Sequence, residues 1–596
     1  MNFMKNRTME KTNYYLTKSA FIIVMLLLPF IGNAQYEQDI ISIGDRKLTI
    51  REAYKIKDIP SFKDTIVQID KLDYSVIPKV VPTTYELKGI KAAKVKVQSP
   101  LKRLYRGYVK GGVGTYTTPL LSFHLNSLRS RDWAYGMNVH HFSSNGGIND
   151  YAHSGYSENE FGGWGKKSLK KHTLSFGANY EADKVHYYGF KPQDLADEME
   201  IESLEIDKKD IRHRLGTINF NTGLKSYYTD STKINHDFTI AYRASSDNFD
   251  SRERNFLLSG NVNTYKGKFK FILGTRLDAN AYRSKRVIPF DFLNQEYDRT
   301  DILTNRDNNT IFELAPQINA VVGDLRANIG LGIAFDIDNT TAVRIFPRGY
   351  AKYNLFSDLF TVYAGLEGSL DRNSYYSLFN DNPFIQNEIE LTNTFNKAEF
   401  YAGIRGTISK DLSFNAKVST RNFSDMPLFV NTNEGDTLSI VENRFDVIYD
   451  QGTSSQVVGE LTYQQSKKLK VFSRLELNTY NLDREEEAWH TPGRKISLGA
   501  SYNLLDKFII SADLYSEGKR YAQTLETIDG VNADDDGISI RTLKGFVDSN
   551  LKLEYRYTKR VSAFLQINNI TGGKYKRWNN YPVQQLMLLG GLSYSF

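Results

Sequence analysis

The chain has 596 residues, a formal net charge of +7, no cysteine, and 38 Tyr and 35 Phe against 4 Trp. So mild a charge gives no ground for a nucleic-acid partner, and the lack of cysteine excludes disulfides, a thiol nucleophile and N-terminal lipidation through cysteine. Forty-two glycines against 14 prolines suit many strands joined by tight turns.

At the N-terminus, Lys5, Arg7, Lys11 and Lys18 face a single acid, Glu10, and precede an apolar run over 20–31 that ends in Gly32-Asn33-Ala34. That order predicts a cleaved export signal over residues 1–34. The run is too short for the roughly 20 residues that span a bilayer as a helix. Residues 35–103 are polar and carry Pro60, Pro78, Pro82 and Pro100, with short alternating runs such as 65–69. They read as an extended N-terminal arm, periplasmic or lumen-filling.

From Leu104 onward, apolar and polar residues alternate. In 547–557 the odd positions carry Val547, Leu551, Leu553 and Tyr555, and the even ones Asp548, Asn550, Lys552, Glu554 and Arg556. Side chains point to opposite faces of a strand with period two, so each such segment separates an apolar phase from a wet one. The stretches 325–335, 469–479 and 561–568 repeat the pattern. A soluble sandwich also alternates, but a chain this long would break into modules, and no linker interrupts 104–596. The fold class expected is therefore all-β, a transmembrane antiparallel barrel, in which closure satisfies every backbone polar group inside lipid.

Polar pairs mark the tight turns: Lys266-Gly267, Gly323-Asp324, Ser357-Asp358, Lys410-Asp411, Lys467-Lys468, Asp506-Lys507 and Lys559-Arg560. Wider ones fall near 128–132, 166–171 and 227–233. Ten short-side turns, with both termini on that side, imply about 22 strands. Their starts are expected near 104, 118, 133, 156, 172, 212, 234, 252, 268, 309, 325, 342, 359, 397, 412, 453, 469, 493, 507, 543, 560 and 585. Long connections near 190–211, 284–308, 373–396, 424–452, 483–492 and 521–542 then face the cell exterior. The first is acidic, with Asp194, Asp197, Glu198, Glu200, Glu202, Glu205, Asp207 and Asp210, and has room for a short surface helix.

The segments 551–559 and 563–569, the connection from Gly573-Lys574-Tyr575 to Trp578, and the closing Leu589-Gly590-Gly591-Leu592-Ser593-Tyr594-Ser595-Phe596 resemble the C-terminal end of a TonB-dependent receptor barrel. The resemblance extends over 104–596. It implies that the outer-membrane assembly machinery reads the terminal strand, with Phe596, Tyr594 and Leu592 on one face. It also implies a folded plug and an energy-coupling segment, from which residues 35–103 depart: they carry no plug-like α/β pattern and no coupling box. An unfilled barrel of this size is a wide aqueous hole, so the arm, inward-folded loops or another protein must fill it, and the inward charges are available to pair with such a filler or with each other.

No catalytic or metal-binding set stands out, and no cofactor is expected. His140 and His141 are adjacent on a strand and point to opposite faces. Asn532, Asp534, Asp536 and Gly537 begin like a calcium loop, but Leu543 falls where the bidentate Glu belongs. Substrate-binding residues are not legible. The reading that follows is a non-enzymatic scaffold or subunit of an outer-membrane transport, secretion or envelope-assembly complex. The alternatives are a nutrient or chelate uptake receptor and a passive pore. The expected surroundings are the lipid bilayer, lipopolysaccharide and protein partners in a membrane complex.

Overall fold

In the computed structural model, the described residues are 104–596 without 199–201, 203, 204, 231, 286–303, 339, 357, 358, 433–442 and 525–538. The expected export signal and arm, the question of a plug, and the 532–537 motif lie outside the described residues.

The chain runs β1 (Gly107–Gly114), β2 (Thr118–Asn126), β3 (Trp133–Ser144), β4 (Tyr156–Ser168), β5 (His172–His186), α1 (Pro192–Glu198), β6 (Arg212–Ser226), β7 (Asn235–Asp247), β8 (Arg252–Lys266) and β9 (Phe269–Lys285). It continues through β10 (Thr304–Val322), β11 (Leu325–Ile337), β12 (Thr341–Leu355), β13 (Phe360–Asp371), α2 (Tyr375–Asp381), β14 (Thr394–Ser409), β15 (Leu412–Thr432), β16 (Arg444–Gln465) and β17 (Leu469–Leu482). It ends with β18 (Arg494–Leu504), β19 (Phe508–Glu517), β20 (Arg520–Thr524), β21 (Ser539–Leu543), β22 (Phe546–Arg556), β23 (Val561–Asn568), β24 (Lys576–Trp578), β25 (Tyr581–Pro582) and β26 (Met587–Ser595). Twenty-two of these strands form one antiparallel sheet, while β20–β21 and β24–β25 are separate two-stranded pieces. The sheet closes where β1 pairs with β26. There the Phe596 carbonyl accepts from the backbone N–H groups of Arg106 at 2.7 Å and Gly107 at 2.9 Å.

The expected strand count is met, and all but two of the expected starts fall within a few residues of the observed ones. β10 begins at Thr304 rather than 309, and β16 at Arg444 rather than 453; β15 likewise runs on to Thr432 past a register shift between Phe423 and Met426. The long connections are therefore 286–303 and 433–443, shorter than the sequence implied. Above the membrane both faces of a strand are wet, so the alternation that marks a strand in lipid disappears although the hydrogen-bonded ladder continues. The expected surface helix is α1.

Gly267 and Gly323 open two-residue turns with φ of 62° and 58°, a left-handed conformation that a Cβ disfavours. Along each wall the outward phase carries exposed apolar side chains, among them Phe161, Phe220, Ile329, Leu331, Ile345, Phe400 and Leu592. Such a belt on a closed barrel is the lipid-facing surface. Among the described residues no helix is long and apolar enough to cross a membrane; the crossing elements are the strands.

Candidate functional site

The inward phase of the wall is polar and largely self-paired. Arg276 and Arg348 both reach Glu313, the first at 3.0 Å. Lys417 meets Glu399 at 2.9 Å, and Arg474 bridges Glu460 at 2.8 Å and also holds Glu476. On β22 the expected pairing among inward charges is partly met: Arg556 contacts Glu554 at 3.2 Å, whereas Asp548 accepts from Tyr515 at 2.5 Å and Tyr575 at 2.7 Å. These pairs line a lumen in which roughly a quarter of each arginine side chain stays exposed, 26% for Arg276 and 31% for Arg348.

The connection between β13 and β14, residues 372–393, turns into this lumen and crosses it. Its first residue, Arg372, is buried against β9 and β10, with Nε donating to Asp278 Oδ1 at 2.7 Å and Nη1 to Asn309 Oδ1 at 3.0 Å. Ser374 then caps α2 in a reciprocal box with Ser377. The first N–H groups of α2 point at β8, where Glu253 takes Tyr375 N at 2.9 Å and Tyr376 N at 3.0 Å. A carboxylate at unsatisfied helix N–H groups is favourable both as acceptor and as counter-charge. Tyr376 Oη donates to Glu181 on β5 at 2.8 Å. Tyr375 Oη donates to Asp247 on β7 at 2.9 Å and lies 3.0 Å from His213 Nε2 on β6. The loop that leaves β13 is thus held by inward groups on β5 through β10, three to eight strands round the ring from its own root.

Other outer connections pack onto this loop around a buried aromatic cluster that includes Tyr187, Phe190, Tyr375, Phe379, Phe384, Ile385, Phe445 and Tyr581. Tyr187 Oη donates to the Ile385 carbonyl at 2.8 Å, and Tyr188 Oη to the Pro582 carbonyl at 2.9 Å. Ile385 and Phe445 form an isolated parallel bridge, and the rings of Phe384 and Tyr581 stack at 3.7 Å. Burial pushes the Tyr187, Tyr375 and Tyr581 hydroxyls up, so they remain neutral donors. His490 sits in the same roof between Phe445 and Trp578. Its Nδ1 lies 3.0 Å from the Phe429 carbonyl, and its Nε2 accepts from Asn579 N at 3.3 Å. Burial lowers its pKa to about 3.

Of the residues weighed from sequence, His140 and His141 do separate as expected: His140 pairs with Glu160 on the inward face, and His141 shares the outward face with Val139 and Phe161. Among the described residues no group of histidines and acids is placed to hold a metal. Leu592, Tyr594 and Phe596 are all exposed on the outward face. Arg372, Tyr375, Glu253 and His213 were not singled out. Their signal was faint: the inward phase of β5–β10 is acidic at its outer end, and a Ser-x-x-Ser cap opens 374–381.

No protein-family model matches the chain, and no curated protein matches it. Solved structures do. The pyoverdine outer membrane receptor FpvA from Pseudomonas aeruginosa PAO1 is 13% identical with a TM-score of 0.60, covering 83% of this chain and 79% of that one. The siderophore receptor PirA from Acinetobacter baumannii is 11% identical with a TM-score of 0.61, covering 84% and 81%. The FrpB iron transporter from Neisseria meningitidis is 9% identical with a TM-score of 0.61, covering 83% and 82%. Identities this low establish a shared fold. Together with the closed ring and its apolar belt, that fold makes the chain an outer-membrane β-barrel.

Proposed function

We propose that the chain is an outer-membrane uptake receptor in a closed-mouth state, with residues 372–393 as its gate. The observation that carries this reading is the attachment of that loop to the inward Glu181, Asp247, Glu253 and Asp278 of β5–β9, above a wall of partly exposed ion pairs. A polar lumen under one inward loop suits passage of a bulky polar cargo. Iron chelates are the first class to test, because the structures of similar fold are described as a pyoverdine receptor, a siderophore receptor and an iron transporter.

The scaffold or subunit reading retains one supporting observation, the dry aromatic core of the roof, which suits permanent closure. A disulfide tether separates the two. Bridge partners lie within the Cα span that a disulfide needs, and the chain has no cysteine of its own, so Ile385→Cys with Phe445→Cys ties the loop to β16. Growth of a deletion strain complemented with this variant is compared on limiting iron chelates, with and without reductant. The uptake reading expects a growth defect on at least one chelate that reductant reverses. Normal growth on every chelate, with stoichiometric companions in a mild-detergent purification, contradicts it and supports the scaffold.

A further inference from the structure

On β5–β10 the period of two sorts charge by face. The inward acids hold the loop, whereas the outward phase at the outer end carries Lys184, Arg214, Arg252, Arg254, Arg283 and Arg306, and no acid. These cations lie just beyond outward Tyr180, Ile218, Phe256 and Phe312, which belong to the exposed apolar belt. Two residues of strand advance about 7 Å, so the charges stand one to three such steps beyond these belt residues, from Arg254 next to Phe256 to Arg306 above Phe312. They are also stacked on one another. Lys184 is the cross-strand partner of Arg214, and Arg252, Arg283 and Arg306 form a direct ladder over three strands. Like charges directly opposite each other destabilise a sheet, yet none of the six has an ion pair among the described residues. Asp250, in the turn beside Arg252, is held instead by Lys285 at 2.7 Å. The Nε of Arg283 is buried and has no hydrogen-bond partner. At the other end of the band a cavity of about 160 Å³ is walled by His153, Lys184, Lys208 and Arg212. On the remaining strands the outward phase at this level is nearly free of charge, as with Ile337 and Val343.

We propose that this sector binds a phosphate-bearing lipid of the outer leaflet, namely lipopolysaccharide. Its phosphates lie across the Arg252–Arg283–Arg306 and Lys184–Arg214 ladders and its acyl chains lie on Tyr180, Ile218, Phe256 and Phe312. An anionic headgroup neutralises the stacked cations and presents several acceptors to guanidinium forks. The apolar belt directly beneath selects an amphiphile over a free anion. The inference is independent of what the lumen carries.

The test uses the full chain purified from its own outer membrane, stripped of lipid and checked for a folded barrel by heat-modifiable gel mobility. Thermal unfolding is followed with added lipopolysaccharide, with the same lipid after enzymatic removal of its phosphates, and with inorganic phosphate alone. Native mass spectrometry counts retained lipid in parallel. Intact lipopolysaccharide is expected to bind and raise the midpoint; the dephosphorylated lipid and free phosphate are not. The variant R252Q/R283Q/R306Q is expected to bind on the order of a hundredfold more weakly, from the usual contribution of each basic residue at an anionic membrane surface. The variant K266Q/K268Q, at the opposite end of the same hairpin, is expected to bind like the parent. Equal stabilisation by dephosphorylated lipid, equal stabilisation by phosphate alone, or undiminished binding by the triple variant each overturns the proposal. The first comparison needs no variant, so a misfolded mutant does not blunt it.

Discussion

At the level of single residues, period two decides what each side chain meets. Phe220 is 53% exposed on the outward phase, where an arginine near the bilayer midplane costs about 2–4 kcal/mol. Phe220→Arg is therefore expected to lower the yield of heat-modifiable barrel sharply, while Asn219→Arg, on the lumen side of the same strand, leaves it near the parental level. Arg372 answers to a different rule. It and its partner Asp278 are about nine-tenths buried, and breaking such a pair leaves a buried charge at a cost of roughly 3 kcal/mol. Arg372→Met is expected to speed hydrogen exchange across 372–393 while the strand amides keep their protection. His490 supplies a pH dependence. Its folded pKa is about 3 against an ordinary 6.5, so between these values the unfolded roof binds the extra proton and stability falls as pH falls. Protonation would also remove the acceptor that Nε2 offers to Asn579 N. After correction for the intrinsic slowing of amide exchange in acid, the protection factors of the roof amides are expected to fall from about pH 6 downward, and His490→Gln to flatten that profile. Which residues face in and which face out was legible in the sequence. That Arg372 meets Asp278, or Tyr376 meets Glu181, was not, because these contacts join strands that are not neighbours and exist only once the ring has closed.

At the level of elements, the strands were read well inside the membrane and poorly above it. β15 and β16 show why: both continue past the belt into the 423–432 and 444–452 segments, where their side chains pack into the roof and polar and apolar residues no longer alternate by face. Phe445 is fully buried there and joins the Ile385 bridge to the His490 and Trp578 rings. Phe445→Ala removes a packed aromatic at a cost of about 3–5 kcal/mol. The expected result is protease nicking between 433 and 443 and in 372–393, with the barrel ring intact on a gel. Cleavage confined to 433–443 would mean that the two loops are held independently. The acidic connection was recognised with its helix, α1, but its neighbour at 372–393 looked like one long loop among several. Nothing local to that segment announces that it turns inward.

At the level of the whole molecule, one closed sheet divides three environments by charge. The lumen takes the ion pairs and the acids that hold residues 372–393, the belt takes the exposed aromatics, and one outer sector of the wall takes the cations without an ion pair among the described residues. Ring closure was legible from an even strand count with both termini on the short-turn side, and β1–β26 pairing meets it. The packing of the outer connections was not, since it depends on the segments after β5, β13 and β23 meeting the outer ends of β15 and β16 around Ile385, Phe445 and Tyr581. The most direct measurement of the central claim is planar-bilayer conductance of the full chain beside a variant in which 374–391 is replaced by a short Gly-Ser linker. A silent parent and large, steady currents from the variant are expected. A variant as silent as the parent, or a parent that already conducts freely, would show that this loop does not close the barrel.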